Sequence, residues 1–266
     1  MPARSRVLCL LLACAGCQGL PFAAPAADPA EARRRWEEGQ AAMQRQEPDR
    51  AIACYHASLA ADPGMVQNHL SLAAAHLQQG DAAAACAHLA RYVEAHPEHL
   101  SVRAHYAELL FRLRRNPEAR AQFDRYVEDA QEKGDPAAHL VHCHTRLMAI
   151  AQAEEDEYGE HLHRGIGLLL LARQRAALGG DGGELPAEAL LCKAAGELTL
   201  ARLNRPDEAR PCWYLYEVWS QLAQRQPATR WLRAAGAAAP FSYLTPAEQR
   251  GLQLASRSLD AGTERK

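Results

Sequence analysis

Apolar residues recur along most of the chain at the three- and four-residue intervals of amphipathic helices. The helical stretches are separated by short segments in which a helix breaker is followed by a helix start. No stretch shows the alternation of β-branched residues that strands need. The pattern predicts an all-α fold of about twelve helices, or six antiparallel hairpins. The separating segments are residues 47–49, 79–81, 115–117, 133–136, 204–207 and 226–227.

A period of 34 residues organises the helices. Ala51, Ala85 and Ala119 are spaced by 34 residues. A small residue of this kind, followed four positions later by a large one, marks one helix face. The small residue lets a neighbouring helix approach, and the large one fills the remaining gap. The other columns with this spacing are Gly39, Ala73 and Ala107; Tyr55, Leu89 and Phe123; Ser58, Tyr92 and Tyr126; and Pro63 and Pro97.

These columns resemble those of the tetratricopeptide repeat. The first three copies start at Trp36, Leu70 and Ala104, and a fourth fits residues 215–240 with Tyr216 at a position that is small in the family. The resemblance implies a right-handed solenoid of antiparallel helix hairpins with an irregular middle section. It predicts three repeats over residues 31–133, irregular helical hairpins with a Gly-rich loop over 134–204, and a C-terminal repeat with a capping helix over 205–260.

The resemblance also implies a binding surface. In this family the first helices of successive hairpins line a concave groove that holds an extended peptide or a helix of a partner protein. The alternative is that several of these residues pack between repeats. Carried over by column, the predicted groove residues are Trp36, Gln40, Met43, Gln67, Leu70, Ser71, His105, Glu108 and Arg112.

Residues 1–17 have the layout of an export signal, since Arg4 and Arg6 precede a short apolar run and small residues. Two cysteines there resemble the lipobox of bacterial lipoproteins. Cys17 is the favoured lipidation site and Cys14 the alternative, and an ordinary cleaved signal is a third interpretation. Residues 18–30, rich in Ala and Pro, form a tether.

The N-terminal resemblance implies a location. It predicts a lipid-anchored protein of the bacterial cell envelope that faces the periplasm and has no integral membrane span. Whether the inner or the outer membrane holds it is left open.

Composition narrows the classes of partner. The 266 residues include 30 Lys and Arg against 32 Asp and Glu, for a formal net charge of -2. A chain with this near-neutral charge lacks the main electrostatic attraction that nucleic-acid-binding proteins have for phosphate groups. Five widely spaced cysteines outside the leader are expected to be small buried residues with at most one incidental disulfide. They are Cys54, Cys86, Cys143, Cys192 and Cys212.

Histidines are the main candidates for chemistry. A hairpin turning near residue 154 would bring His144 within one turn of His161. The ligands on each helix point in different directions, however, so we predict surface or groove histidines and no metal site. The densest group comprises His139, His142, Cys143, His144, His161 and His163.

Two further clusters have structural interpretations. The acidic run 154–157 is expected to be a solvated helix start, because carboxylates complement the positive end of a helix dipole. The late aromatics are expected to pack in the core, with a ligand platform as the alternative. They are Trp213, Tyr214, Tyr216, Trp219 and Trp231.

No catalytic, metalloprotease or nucleotide-binding motif can be assembled from the sequence. We therefore predict a non-enzymatic scaffold without cofactors, whose groove binds an unidentified envelope protein and which leaves self-association open. The alternative is a small-ligand or metal-binding module in residues 137–219. A hydrolase with an unrecognised site is the third hypothesis.

Overall fold

The structure is a computed structural model that describes residues 27–134, 137–178 and 185–263. These residues form twelve α-helices and one short 3-10 helix, with no strand among them. The predicted all-α class is confirmed. The α-helices are α1 Pro29–Gln44, α2 Pro48–Ala61, α3 Gln67–Gln78, α4 Ala82–Ala95, α5 Leu100–Arg112, α6 Asn116–Lys133, α7 Ala137–Ala153, α8 Glu157–Ala177, α9 Ala187–Asn204, α10 Ala209–Gln221, α11 Arg225–Ala238 and α12 Pro246–Thr263, and the 3-10 helix is Ala239–Phe241.

Some predictions fall on other parts of the chain. The signal segment at 1–17, with Cys14 and Cys17, and the Gly-rich loop at 179–183 lie outside the described residues. Among the helices that are described, none combines the length and the apolar composition needed to cross a membrane.

Five helix pairs are joined by the same turn. Each turn contains one residue with φ between 55° and 80°, and the next N–H donates to a carbonyl five residues earlier. In the first pair Glu47 N donates to Ala42 O at 3.0 Å, which is the bond of a Schellman motif. The five residues are Gln46, Gly80, Arg114, Glu155 and Ala223.

The turns define which helices form hairpins. They join α1 to α2, α3 to α4, α5 to α6, α7 to α8 and α10 to α11. Helix α9 packs against both α8 and α10, and α12 packs beyond α11. The predicted solenoid of hairpins is confirmed, and its irregular middle consists of one extra helix between the fourth and fifth hairpins.

Close approach at small residues holds the hairpins together. Ala51, Ala85 and Ala119 are completely buried. A Cβ atom added at Gly39 would lie 2.4 Å from Cε1 of Tyr55, so the ring of Tyr55 rests directly on the backbone of α1. Burying a large side chain of this kind contributes about 1.5–3 kcal/mol.

Helix α12 closes the C-terminal end through a buried capping box. The Glu248 backbone N–H donates to Thr245 Oγ1 at 3.2 Å, and the Thr245 N–H donates to Glu248 Oε2 at 2.9 Å. The same carboxylate accepts from Arg210 Nη2 at 2.9 Å and from the Tyr214 hydroxyl at 2.7 Å. Because Thr245 also donates to Gln131 Oε1 at 3.0 Å, the box connects α12 to both α10 and α6.

The burial of the ion pair changes its titration. Burial alone would lower the pKa of Arg210, but the Glu248 carboxylate and Tyr214 raise it above its ordinary value. Burial also raises the pKa of Tyr214, with a further contribution from Glu248. The contact therefore joins a charged guanidinium to a carboxylate inside the protein.

The cysteines follow the prediction with one correction. None of the five cysteines among the described residues forms a disulfide. Cys86, Cys143 and Cys212 are buried and Cys54 is half-buried, as expected for small apolar residues. Cys192 is predicted to be buried but is exposed, because it lines an open surface cleft with Leu168 of α8 and Trp219 of α10.

The contact between Gly39 and Tyr55 predicts a stability effect. Gly39→Ala is expected to lower the free energy of unfolding by about 1–3 kcal/mol, because the added methyl group collides with a buried ring. Urea denaturation measures the change. Gly196→Ala is the matched control, since a Cβ there meets no described atom within 4 Å. It should stabilise the chain by about 0.5–1 kcal/mol, and an equal gain from Gly39→Ala would contradict the contact.

The capping box predicts a larger loss of stability than the contact between Gly39 and Tyr55. Glu248→Ala is expected to cost about 3–5 kcal/mol, because it leaves the Arg210 guanidinium, whose side chain is only 14% exposed, without its carboxylate partner. Glu248→Gln, which retains the shape, should lose less. Arg250→Ala removes the exposed pair between Arg250 and Glu132 and should cost at most about 1 kcal/mol in the same denaturation experiment. Similar losses for the Glu248 and Arg250 variants would refute this role of the ion pair.

Candidate functional site

The predicted groove lies along the first helices of the hairpins, and its N-terminal end is largely used for packing. Trp36 Nε1 donates to Ser71 Oγ at 3.0 Å, and Gln40 Nε2 donates to the same oxygen at 3.4 Å. Met43 packs against the core between α1, α2 and α3. Gln67 is exposed at the start of α3. Of the five residues predicted here, four thus contact neighbouring repeats, which is the alternative that the sequence left open.

Further along, an apolar cleft opens between α3 and α5. This α3–α5 cleft has a volume of about 410 Å³. Leu77 is 48% exposed at its edge, which leaves apolar surface accessible from solvent. The cleft brings together four of the predicted groove residues. It is lined by Leu70, Ala73, Ala74, Leu77, Leu89, Val102, His105, Glu108, Leu109 and Arg112.

A second cleft lies between α5 and α7. This α5–α7 cleft has a volume of about 310 Å³ and shares His105 with the α3–α5 cleft. Two of its histidines, His139 and His142, are exposed, as the prediction of groove histidines expects. The two clefts therefore adjoin at His105 and lie along α3, α5 and α7. The α5–α7 cleft is lined by Leu100, Ser101, Ala104, His105, Tyr126, His139, His142 and Cys143.

Cations surround the single carboxylate on this surface. Arg146 Nε and Nη2 each donate to Glu108 at 2.9 Å, and the Arg146 guanidinium also lies 4.9 Å from the centre of the Phe111 ring. His142 Nε2 is 3.4 Å from Glu108, and Arg112 Nε is 3.6 Å from it. The two arginines exceed the charge of the one carboxylate, so this part of the surface attracts anionic groups.

A different cavity, the polar chamber, lies between α6, α8, α10 and the segment before α12. Its volume is about 380 Å³. Burial raises the pKa of Asp124 in its wall, although Arg210 and Arg120 act in the opposite direction. The hydroxyl of Tyr243 donates to Glu128 across its mouth. The chamber's charged and aromatic lining includes Arg120, Asp124, Glu128, Asp156, Tyr158, Arg205, Glu208, Arg210 and Tyr243.

Two buried histidines form the floor of the polar chamber. His144 Nδ1 and His163 Nδ1 are 3.1 Å apart, and the two residues are 1% and 6% exposed. Burial lowers the pKa of His144 to about 3 and that of His163 well below its usual value. Both rings are therefore neutral at pH 7. His144 Nε2 is buried and has no hydrogen-bond partner within the described part of the chain.

The hairpin brings His144 to the turn of α8 that carries His161 and His163, which agrees with one expectation, and the burial of the pair corrects another. His144 contacts His163, whereas His161 Nδ1 lies 2.7 Å from Glu197 on α9. Since His161 and His163 are two residues apart on α8, they face different neighbours. His144 and His163 are also buried, and not the surface or groove histidines that the sequence predicts.

The other two clusters behave largely as expected. Trp213 and Tyr214 are 7% and 4% exposed, which agrees with core packing. Asp156 caps α8 by accepting from Gly159 N at 3.2 Å. It also pairs with Arg205 at 3.2 Å, so one carboxylate of the acidic run is part of the chamber wall and not a solvated group.

Sequence reasoning missed the contacts made by Arg210, Tyr158 and Glu248. The Thr-x-x-Glu spacing of Thr245 and Glu248 is a capping-box signal that marks the start of α12. Nothing in the local sequence indicates that this box receives Arg210 from α10. The partner is 38 residues away in the chain, and the packing of α12 against α10 places it beside Glu248.

Comparisons with protein families agree with the helical hairpins over residues 37–142. Two families described as tetratricopeptide repeat match residues 37–99 and 76–142. Among solved structures, MamA is 14% identical, with 78% of this chain and 91% of that chain covered and a TM-score of 0.35. PilF of Pseudomonas aeruginosa is 14% identical, with coverages of 84% and 97% and a TM-score of 0.37. YrrB, described as having an unusual peptide-binding site, is 14% identical, with coverages of 85% and 92% and a TM-score of 0.33. No curated protein matches the chain.

The buried histidine pair predicts that stability depends on pH. The pKa of His144 is about 3 in the folded chain and about 6.5 in an unfolded chain. Below about pH 6.5 the unfolded state binds a proton that the folded state does not bind. The free energy of unfolding should therefore fall as the pH decreases, by about 1.4 kcal/mol per pH unit for this residue.

Urea denaturation between pH 7 and pH 5 measures this slope. The double variant His144→Gln with His163→Gln should show a shallower slope than the parent chain. A matched control, His105→Gln with His142→Gln, changes two exposed histidines and should leave the slope close to that of the parent. An unchanged slope in the variant of His144 and His163 would show that the buried histidine pair does not cause the pH dependence of stability.

Proposed function

We propose that this chain, whose residues 37–142 carry tetratricopeptide repeats, is a non-enzymatic scaffold that binds a segment of another protein. The observation that carries the proposal is the pair of adjoining clefts, α3–α5 and α5–α7, which share His105. It combines accessible apolar area with a few polar groups, as protein-binding grooves do.

The chemistry of this surface indicates what kind of segment fits. The α3–α5 cleft is mostly apolar, so it suits a large apolar side chain of a peptide or helix. Arg112 is exposed beside it, and Arg146 lies close by. A carboxylate next to the apolar anchor would meet these arginines. We therefore infer an amphipathic segment with an acidic residue flanking its apolar anchor.

The cellular setting of the proposal comes from the sequence of residues 1–17. Its resemblance to a lipoprotein signal supports export, lipidation at Cys17 or Cys14, and a membrane-anchored protein facing the periplasm. The partner is then another envelope protein. Self-association of the repeats remains compatible with this setting.

The alternative of a small-ligand module over residues 137–219 has a specific place in the structure. The polar chamber offers charged groups and the unpaired His144 Nε2 in a cavity of about 380 Å³. Several of its residues, including Asp124 and Tyr243, lie outside residues 137–219. The scaffold is the better supported function, because charged residues of the chamber lining already pair with one another, as Asp156 does with Arg120 and Arg205.

Affinity capture from detergent-solubilised membranes tests the scaffold. The tagged full-length chain is expected to retain a discrete partner, identified by mass spectrometry. The double variant Leu77→Glu with Arg112→Glu should lose at least about 1.4 kcal/mol of binding free energy, which weakens binding tenfold. Recovery of the partner should therefore fall at least tenfold. Both residues are exposed, so the fold should be preserved.

The control for this experiment is Leu254→Glu with Arg257→Glu, which makes the same two substitutions on the exposed face of α12. It should retain the partner. Equal recovery of the partner by the groove variant and by the parent would rule out the groove as the binding surface. Recovery of the parent chain alone would contradict the scaffold function.

A further inference from the structure

Four histidines from three helices meet on the side of the first two repeats where α2, α3 and α4 pack. His69 and His76 are seven residues apart on α3 and therefore lie on one helix face, two turns apart. His88 on α4 lies between them and His56 on α2. The centre of the His88 ring is 5.8 Å from that of His56 and 5.4 Å from those of His69 and His76. We call these four residues the histidine cluster.

Three members of the cluster offer nitrogen atoms to one point. One ring nitrogen from each of His56, His76 and His88 lies within 4.8 Å of the others. Zinc ligands at about 2.0–2.1 Å from a tetrahedral ion are about 3.3 Å apart. Small rotations of these side chains would bring the nitrogens to that spacing. His56 is exposed, so an ion could enter from solvent.

The hydrogen bonding of the cluster is incomplete without a ligand. His76 Nδ1 is buried and has no hydrogen-bond partner among the described residues. Leaving such a group unpaired costs about 1–3 kcal/mol. The Nδ1 atoms of His69 and His88 are 3.1 Å apart, so His69 orients the His88 ring. An imidazole held in this way resembles a metal ligand with an outer hydrogen-bonding partner.

The donor atoms of the cluster indicate which kind of metal would fit. Arg91 interacts electrostatically with His88 and opposes the binding of a dication. The site consequently suits metals that bind imidazole strongly, and the absence of a carboxylate from the three-histidine group disfavours Mg²⁺ and Ca²⁺.

We propose that His56, His76 and His88 bind a divalent transition-metal ion of the Zn²⁺ type, with His69 as a positioning residue. This site is separate from the α3–α5 cleft and does not depend on the proposed scaffold function. Its ligands come from both of the first two hairpins. A bound ion would therefore fasten the first repeat to the second.

Zinc binding to the full-length chain tests the site. The chain is purified in detergent with a tag that lacks histidine, and Zn²⁺ is titrated by calorimetry. One ion per chain is expected. His56→Ala should weaken binding at least tenfold without affecting folding, because His56 is exposed. His88→Gln should also weaken Zn²⁺ binding at least tenfold. His69→Ala should weaken it roughly tenfold, because His88 loses its hydrogen-bonding partner.

Two controls exclude other ligands. His96→Ala with His99→Ala removes the second group of potential ligands, His96, Glu98 and His99, and should leave the stoichiometry unchanged. Titration with Co²⁺ should give the strong visible absorption of a tetrahedral site without the thiolate band that a cysteine ligand produces. The proposal is overturned if no Zn²⁺ binds, if the His56 and His88 variants bind like the parent, or if binding is lost with His96 and His99.

Discussion

The close approach of helices at small residues is the constraint on which the rest of this structure depends. Gly39, Ala51, Ala85 and Ala119 leave no room between adjacent helices, and rings such as that of Tyr55 fill what remains. Because the spacing repeats every 34 residues in the first three hairpins, each hairpin is set against the previous one in a similar way. The αL turn within each hairpin then fixes the direction in which the chain returns.

The two ends of the structure are secured by different physical means. At the N-terminal end, apolar packing dominates, with a small core of Ala42, Ala51, Tyr55, Leu72 and Ala75. At the C-terminal end, buried charge dominates, because the Glu248 carboxylate joins α12 to α10 and its capping box joins α12 to α6. A buried ion pair contributes little net stability compared with apolar residues of the same shape. Its geometry does, however, restrict α12 to one position.

The surfaces left over from packing carry the candidate chemistry. The faces of α3, α5 and α7 that do not contact another helix form the α3–α5 and α5–α7 clefts, where apolar area and arginines lie together. The histidine cluster uses other positions, where α2, α3 and α4 meet. The helical repeats thus leave two separate sets of residues available for the proposed binding functions, because each hairpin exposes residues that its own packing does not use.

The sequence by itself determined the helices, the hairpins and several residues of the α3–α5 cleft. The breakers, caps and 34-residue columns are local or regularly spaced, so Leu70, His105, Glu108 and Arg112 were predicted to share one surface, and the structure places them in one cleft. Only the tertiary structure decided that α9 is an extra helix, that His144 contacts His163, and that Arg210 reaches Glu248. These contacts depend on the rotation of each helix and on the angles between successive hairpins. Such angles result from the packing of many side chains, and no local pattern of residues specifies them.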